Sequence, residues 1–288
     1  MSKKAESGLK VTVYTPKSSL SNPIIMAKAL LSDVYSSREL AWRLAVRDIS
    51  AQYRQAALGI VWAFVLPLVN TFTWVFLSQS GVVTLTETAI PYPVYVFVGT
   101  MLWQILVDSI NAPLAETTAA KTMLSKLNFP REALIVSGIY KTLFNALIKV
   151  VLVITAIAFF AIYPSFSLLL LPIGLISLIL VGTAIGLLIT PIGVLYTDIG
   201  KAIPLFMQFL MYITPVVFAM PSGGLAEIVF KANPFSYLIL TIRGWITNTP
   251  VEFLDGFILV NILFFIMLLF VLLIYRLAMP ILIERMSS

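Results

Sequence analysis

Three arginines pose the first chemical question. In RELAWRLAVRDISAQYRQ, Arg38 to Gln55, the residues Trp42, Val46, Ile49 and Tyr53 recur at helical spacing, and Arg43, Arg47 and Arg54 fall on another face. Guanidinium groups bind phosphate through paired N–H donors, and a basic amphipathic helix settles among lipid headgroups. Two readings follow: a topological anchor, or a collar that captures a phosphate-bearing lipid at a cytoplasmic entrance. A second set combines flat rings with uncharged amides. One apolar segment carries Trp62, Phe64, Asn70, Phe72, Trp74 and Phe76, and another carries Phe206, Gln208, Phe209, Tyr212 and Phe218. Such residues either form interfacial belts and helix contacts or line a path for an uncharged polar solute.

Other chemistry is excluded by composition. The 288 residues contain no cysteine and no histidine, which removes a thiolate nucleophile, a thiolate metal site and the usual general base. Acids near the membrane are few (Asp108, Asp198, Glu227, Asp255) and show no convergent pair. A membrane-embedded glycosyltransferase or acyltransferase acting on lipid-linked sugars is therefore the weaker alternative. The stretch nearest to a phosphate-cradling loop, GVLYTDIGKA at 193–202, has six residues between its glycines and ends in alanine where Ser or Thr holds magnesium. It cannot cradle nucleotide phosphates.

The elements that must position these residues are spanning helices. The chain is 60% hydrophobic and 11% charged, with a mean hydropathy of +1.00, and its apolar runs reach the ~20 residues a bilayer requires. An all-α polytopic membrane protein is expected, with a cytoplasmic tail over 1–35, an amphipathic interfacial helix over 36–56 and six spans. These fall at about 58–80, 92–112, 138–163, 166–190, 203–220 and 256–279 within a transmembrane domain of 57–280, followed by a tail of 281–288. The turn Tyr163-Pro164-Ser165 makes a hairpin of the third and fourth spans. Residues 221–255 hold two apolar pieces too short to cross, broken at Asn233-Pro234 and at Asn248 to Pro250, and read as re-entrant or interfacial helices. Basic residues gather in the amino-terminal region, the loop holding Lys121, Lys126 and Arg131, Lys201 and the carboxyl tail. Lys231 and Arg243 stand on the other side, so both termini are expected in the cytoplasm. The net charge of +6 thus reflects topology, with no nucleic-acid partner. Pro67 and Pro215 are expected to bend the first and fifth spans. Lys149 and Asp108 lie within spans, where charge is costly, though Lys141, Asn145 and Lys149 share a face from which a lysine reaches the interface.

The order of a basic interfacial helix, QYRQAALGIVWAFVLPL, LNFPRE, GVLYTDIGKAIPLFMQFLMYITPVVF and NPFSYLILTIR resembles the membrane subunits of type 2 ABC exporters of polysaccharides. Within that group it is most similar to the O-antigen exporter permease (Wzm type), with capsule and teichoic acid permeases as close relatives. The resemblance covers about 38–280. It departs at Thr197-Asp198, where the family often has Arg-Asp. The resemblance implies a homodimer in the bacterial inner membrane that pairs with two ATP-binding subunits. Those partners would hold ATP and magnesium, leaving this chain without a cofactor. The cargo would be a glycan on an undecaprenyl-type diphosphate, flipped to the outer leaflet, with 221–255 gating the exit. By the same resemblance Arg43, Arg47 and Arg54 meet the diphosphate, and Trp62, Phe72, Trp74, Phe76, Phe209, Tyr212 and Phe218 line the glycan path. Glu116, Lys121, Lys126 and Arg131, in and after PLAETTAAKTMLSK, couple to the ATPase.

Overall fold

The computed structural model describes residues 32–54, 61–81, 88–126, 130–163 and 165–287. Most of the expected amino-terminal tail, the Ala56 to Gly59 join, Pro164 and the Lys126 side chain lie outside the described residues. Along the described residues the α-helices with defined bounds are, in order, α1 (Arg38–Arg54), α2 (Trp62–Gln79), α3 (Tyr92–Ala119), α4 (Lys121–Lys126), α5 (Glu132–Phe159), α6 (Leu171–Gly193), α7 (Thr197–Tyr212), α8 (Gly224–Ala232), α9 (Pro234–Thr247) and α10 (Leu254–Ser287). The described residues contain no strand.

The core is organised around α3, which is buried from Val94 through Trp103. It packs most extensively on α6, then on α5 and α2. Gly182 and Gly186, one turn apart on α6, permit that approach. A Cβ at Gly182 would stand 2.3 Å from Ser109 Cβ, and one at Gly186 would stand 2.3 Å from the Ile110 carbonyl oxygen. Small residues at this spacing let two spanning helices touch backbone to backbone. By contrast α5 and α10 keep long apolar faces exposed, including Leu147, Val151, Ile154, Leu259, Leu263 and Phe270. In a chain this hydrophobic, such faces belong against lipid.

Among the described residues, four helical stretches are long and apolar enough to cross a membrane: Tyr92–Ala119, Glu132–Phe159, Phe166–Gly193 and Leu254–Leu282. A fifth crossing results only if α8 and α9 are counted as one broken span. The two remaining expected spans are shorter helices. The first is the 18-residue α2, and the fifth, expected over 203–220, is the 16-residue α7, which begins earlier and ends at Tyr212. Pro215 therefore bends no helix; it lies beyond the end of α7, because a proline disfavours helical geometry in the residue before it. Pro67 and Pro204 are the prolines inside α2 and α7. The hairpin turn is longer than three residues, since α5 stops at Phe159 and a 3-10 turn, Phe166–Leu170, precedes α6.

The breaks read in 221–255 have visible causes. At the junction of α8 and α9 the axis turns by 84°. Asn233 caps α9, its side-chain oxygen accepting from the Phe235 N–H at 3.0 Å, and Pro234 fills the first helical position. Asn248 ends α9 in the left-handed conformation, φ 58°.

Helix α1 lies along α5, where Leu44 joins a cluster with Leu134 and Ile135, and Ala41 and Ala45 are fully buried. Trp42 and Val46 face outward instead, although the Trp42 ring edge meets Tyr140 at 5.7 Å. The helix thus has three faces rather than two: small residues against α5, an exposed apolar pair, and arginines.

Candidate functional site

Three helices converge on a cavity of about 560 Å³. From α2 come Asn70, Thr73, Trp74 and Leu77; from α3, Thr100, Trp103, Gln104 and Val107; from α7, Pro204, Met207, Gln208 and Met211, with Tyr212 next. Each helix contributes residues at i, i+3, i+4 and i+7, the spacing that places side chains in one stripe. The aromatic rings are held by one another. The Trp74 indole is edge-on to Tyr212 at 6.0 Å and to Phe218 at 5.7 Å. Trp103 meets Phe235 edge-on at 5.9 Å, tying the cavity wall to α9. The Thr100 hydroxyl donates to the Val96 carbonyl at 2.8 Å and the Thr73 hydroxyl to the Val69 carbonyl at 2.9 Å, which leaves both as acceptors. The lining combines rings, these hydroxyls, the amides of Asn70, Gln104 and Gln208, and apolar side chains such as Leu77, Val107 and Met207, a surface that binds hydroxyls and C–H faces without charge.

The structure divides the residues that the resemblance assigned to a path. Trp74 and Tyr212 line the cavity, and Phe218 packs on Trp74. Phe72 and Phe76 project from another face of α2, exposed and stacked on each other with centroids 6.4 Å apart. Phe72 borders a separate, apolar groove with Phe97 and Phe159. Trp62 and Phe209 are exposed and do not line the cavity. Trp103 and Gln104 escaped the sequence reading because α3 reads as an ordinary span. Their signal was an indole and an amide side by side in the middle of an apolar run.

The charged candidates also separate. Arg43 pairs with Glu39 at 2.7 Å and Arg47 with Asp48 at 2.8 Å, while Arg54 is exposed. All three arginines are exposed to solvent, the condition for meeting a headgroup. Glu116 turns inward: it is 5% exposed, pairs with Lys141 and accepts from the Ser137 hydroxyl at 3.3 Å. Lys141 also reaches Asp48 at 3.3 Å, so one ammonium joins α1, α3 and α5. Burial raises the Asp48 carboxyl, but the Arg47 guanidinium and Lys141 ammonium outweigh it and hold the group below the usual carboxylate range. The stability this pairing contributes is present at neutral pH and is lost as pH falls through that lowered value. Deeper in the bundle Lys149 pairs with Asp108, so each of these charges has its partner within the chain. Lys121 is exposed and lines a cleft of about 550 Å³ with Thr118, Thr197 and Gly200. Arg131 is half-buried just before α5.

No protein-family model matches the chain. A curated protein does: the O-antigen export system permease protein RfbA of Myxococcus xanthus, 22% identical over 218 residues, 75% of this chain and 83% of that protein. The chain is a homologue of an O-antigen export permease. The similarity stands beside the apolar helices, and together they make this permease homologue an integral membrane protein. Its uncharged aromatic cavity is the feature to which a function can be attached.

Proposed function

We propose that the chain is the membrane subunit of an ATP-driven exporter that moves a lipid-linked polysaccharide, such as an O antigen on an undecaprenyl-type diphosphate, from the cytoplasmic to the outer leaflet. The observation that carries this reading is the cavity between α2, α3 and α7, in which Trp74, Trp103 and Tyr212 alternate with three amides. A sugar offers C–H faces to rings and hydroxyls to amides, and uncharged groups let it pass on rather than hold it. The named relative supports the same reading.

Two copies would face each other through α2 and α7, whose exposed Phe72, Phe76, Phe206 and Phe209 lack a cover in the single chain. In this assembly α2 and α7 complete a six-span topology with both termini in the cytoplasm, and the protein resides in the inner membrane. Arg43, Arg47 and Arg54 receive the diphosphate at the cytoplasmic interface. Two ATPase subunits, carrying ATP and magnesium, dock at the α4 end, where Lys121 and the adjoining cleft are accessible and Lys126 and Arg131 lie close in sequence. Glu116 acts there as a buried support rather than a contact. Helices α8 and α9 close the outer exit. A glycosyltransferase or acyltransferase would instead place a carboxylate or other proton carrier where the rings and amides stand.

The test is export from cells expressing the chain with its ATPase partner. Trp74→Ala should lower surface glycan about fivefold, the equivalent of ~1 kcal/mol for one aromatic contact. The protein level and ATPase co-purification should be unchanged. Undiminished surface glycan in that variant, or failure of any ATPase to co-purify, would overturn the proposal. Arg47→Ala combined with Arg54→Ala should likewise impair export without affecting membrane insertion; normal export would leave α1 as an anchor.

A further inference from the structure

At the opposite end of α3 from Glu116 lies a second cavity, of about 400 Å³, that shares no lining residue with the first. It is bounded by the start of α3, the chain after α7, and the carboxyl end of α9 with the loop that follows. Its floor holds Arg243, 3% exposed. The guanidinium lies 3.7 Å over the Tyr95 ring and donates to the carbonyls of Pro215 and Val216, each at 2.8 Å. It forms no ion pair with a described carboxylate. Two buried groups on residues that line this cavity, Arg243 Nε and the Thr241 hydroxyl, have no hydrogen-bond partner among the described residues. An N–H or hydroxyl left unpaired in a buried place costs on the order of 1–3 kcal/mol, and a ligand that satisfies it recovers that cost.

The rest of the lining narrows the ligand. Thr247 and Thr249 hydroxyls are 3.2 Å apart, Thr88 donates to the Ile90 carbonyl, and each retains lone pairs to accept. Glu252, exposed at the same cavity, supplies a carboxylate acceptor. Arginine repels a cationic ligand and Glu252 repels an oxyanion. A neutral polyhydroxylated ring suits both, because each of its hydroxyls donates and accepts. The volume is at the small end of ligand pockets, roughly 300–1,000 Å³, and matches one or two sugar rings.

We infer that this cavity is a saccharide subsite, separate from the aromatic cavity, that holds a neutral mono- or disaccharide unit through Thr241, Arg243 and Glu252. The inference deepens the polysaccharide reading, yet it is testable without transport. The chain has no cysteine, so Thr249→Cys places a single thiol in the cavity. In nanodiscs, methyl glycosides of glucose, galactose and mannose and their disaccharides are assayed for protecting that thiol from a maleimide. At least one should slow labelling severalfold. Adding Thr241→Val should raise the half-protecting concentration about fivefold, and Glu252→Gln about tenfold, the ranges for a neutral and a charge-assisted hydrogen bond. Both avoid Arg243, whose loss would also free two main-chain carbonyls. Protection by none of these sugars, protection unaltered by both substitutions, or protection by inorganic phosphate in their place would each overturn the inference. Sugar protection together with normal export by Trp74→Ala would leave the subsite standing and remove only the exporter reading.

Discussion

Gly186→Leu is expected to yield no folded protein from detergent extracts. The Cβ alone would lie 2.3 Å from the Ile110 carbonyl oxygen and 3.0 Å from the Pro113 ring, so the side chain meets backbone that has nowhere to move. Overpacking a core commonly costs about 1–3 kcal/mol where side chains can shift. Here α3 and α6 would have to separate along the largest helix contact in the molecule. The milder Gly186→Ala should fold with a lowered melting temperature, and Gly182→Ala should behave alike, since its Cβ meets Ser109 at 2.3 Å. Gly200→Ala is the control: its new Cβ finds only Leu114, at 3.7 Å, and stability should be unchanged. Monodispersity on size-exclusion chromatography and thermal unfolding read all four. An intact Gly186→Leu protein would mean that α3 and α6 are not in backbone contact.

The second large effect belongs to Lys141. Lys141→Met leaves Glu116 as a buried carboxylate without its cation, which typically costs about 3–5 kcal/mol. Converting that carboxylate to an amide should recover much of the loss, so Lys141→Met with Glu116→Gln is expected to be more stable than Lys141→Met alone. This non-additivity is the signature of a direct pair. The same substitution also releases Asp48, and with it one attachment of α1 to α5; the Trp42–Tyr140 ring contact and the apolar packing of α1 remain. Proteolysis within α1 should accelerate in both variants, because the amide does not restore the Asp48 contact. Equal stability of the single and double variants would show that Lys141 and Glu116 do not meet.

These two results bear on what a sequence of this kind conveys. Membrane character, helical class and the breaks at Asn233-Pro234 and Asn248 follow from local properties: apolar length, a missing N–H, and an Asn tolerant of the left-handed conformation. The amphipathic helix with its arginines was legible for the same reason. Four of the expected spans, the second, third, fourth and sixth, coincide with helices long and apolar enough to cross a membrane, because apolar residues dominate each over more than 18 positions. The first and fifth were not settled by composition, because α2 and α7 are short and Pro215 stands at a helix end rather than within one.

The site was half legible. Trp74, Tyr212 and Phe218 could be named as aromatics of two spans, but nothing local separates Trp74 from Phe72 two residues away, which faces elsewhere. Which residue of a stripe turns inward depends on how a helix is rotated against its neighbours, and that rotation is fixed by distant contacts such as Gly182 and Gly186 beneath α3. Glu116 illustrates the same limit, since its place beside Lys141 joins residues 25 apart on two helices. Residue types alone settled that this chain lives in a membrane and that helices break at Asn233-Pro234 and Asn248. The tertiary structure alone decided which rings share a cavity, which charges are already spent on partners within the chain, and that Arg243 borders a cavity with an unpaired donor. Helix termini depend on neighbouring residues, whereas these features depend on packing between helices far apart along the chain.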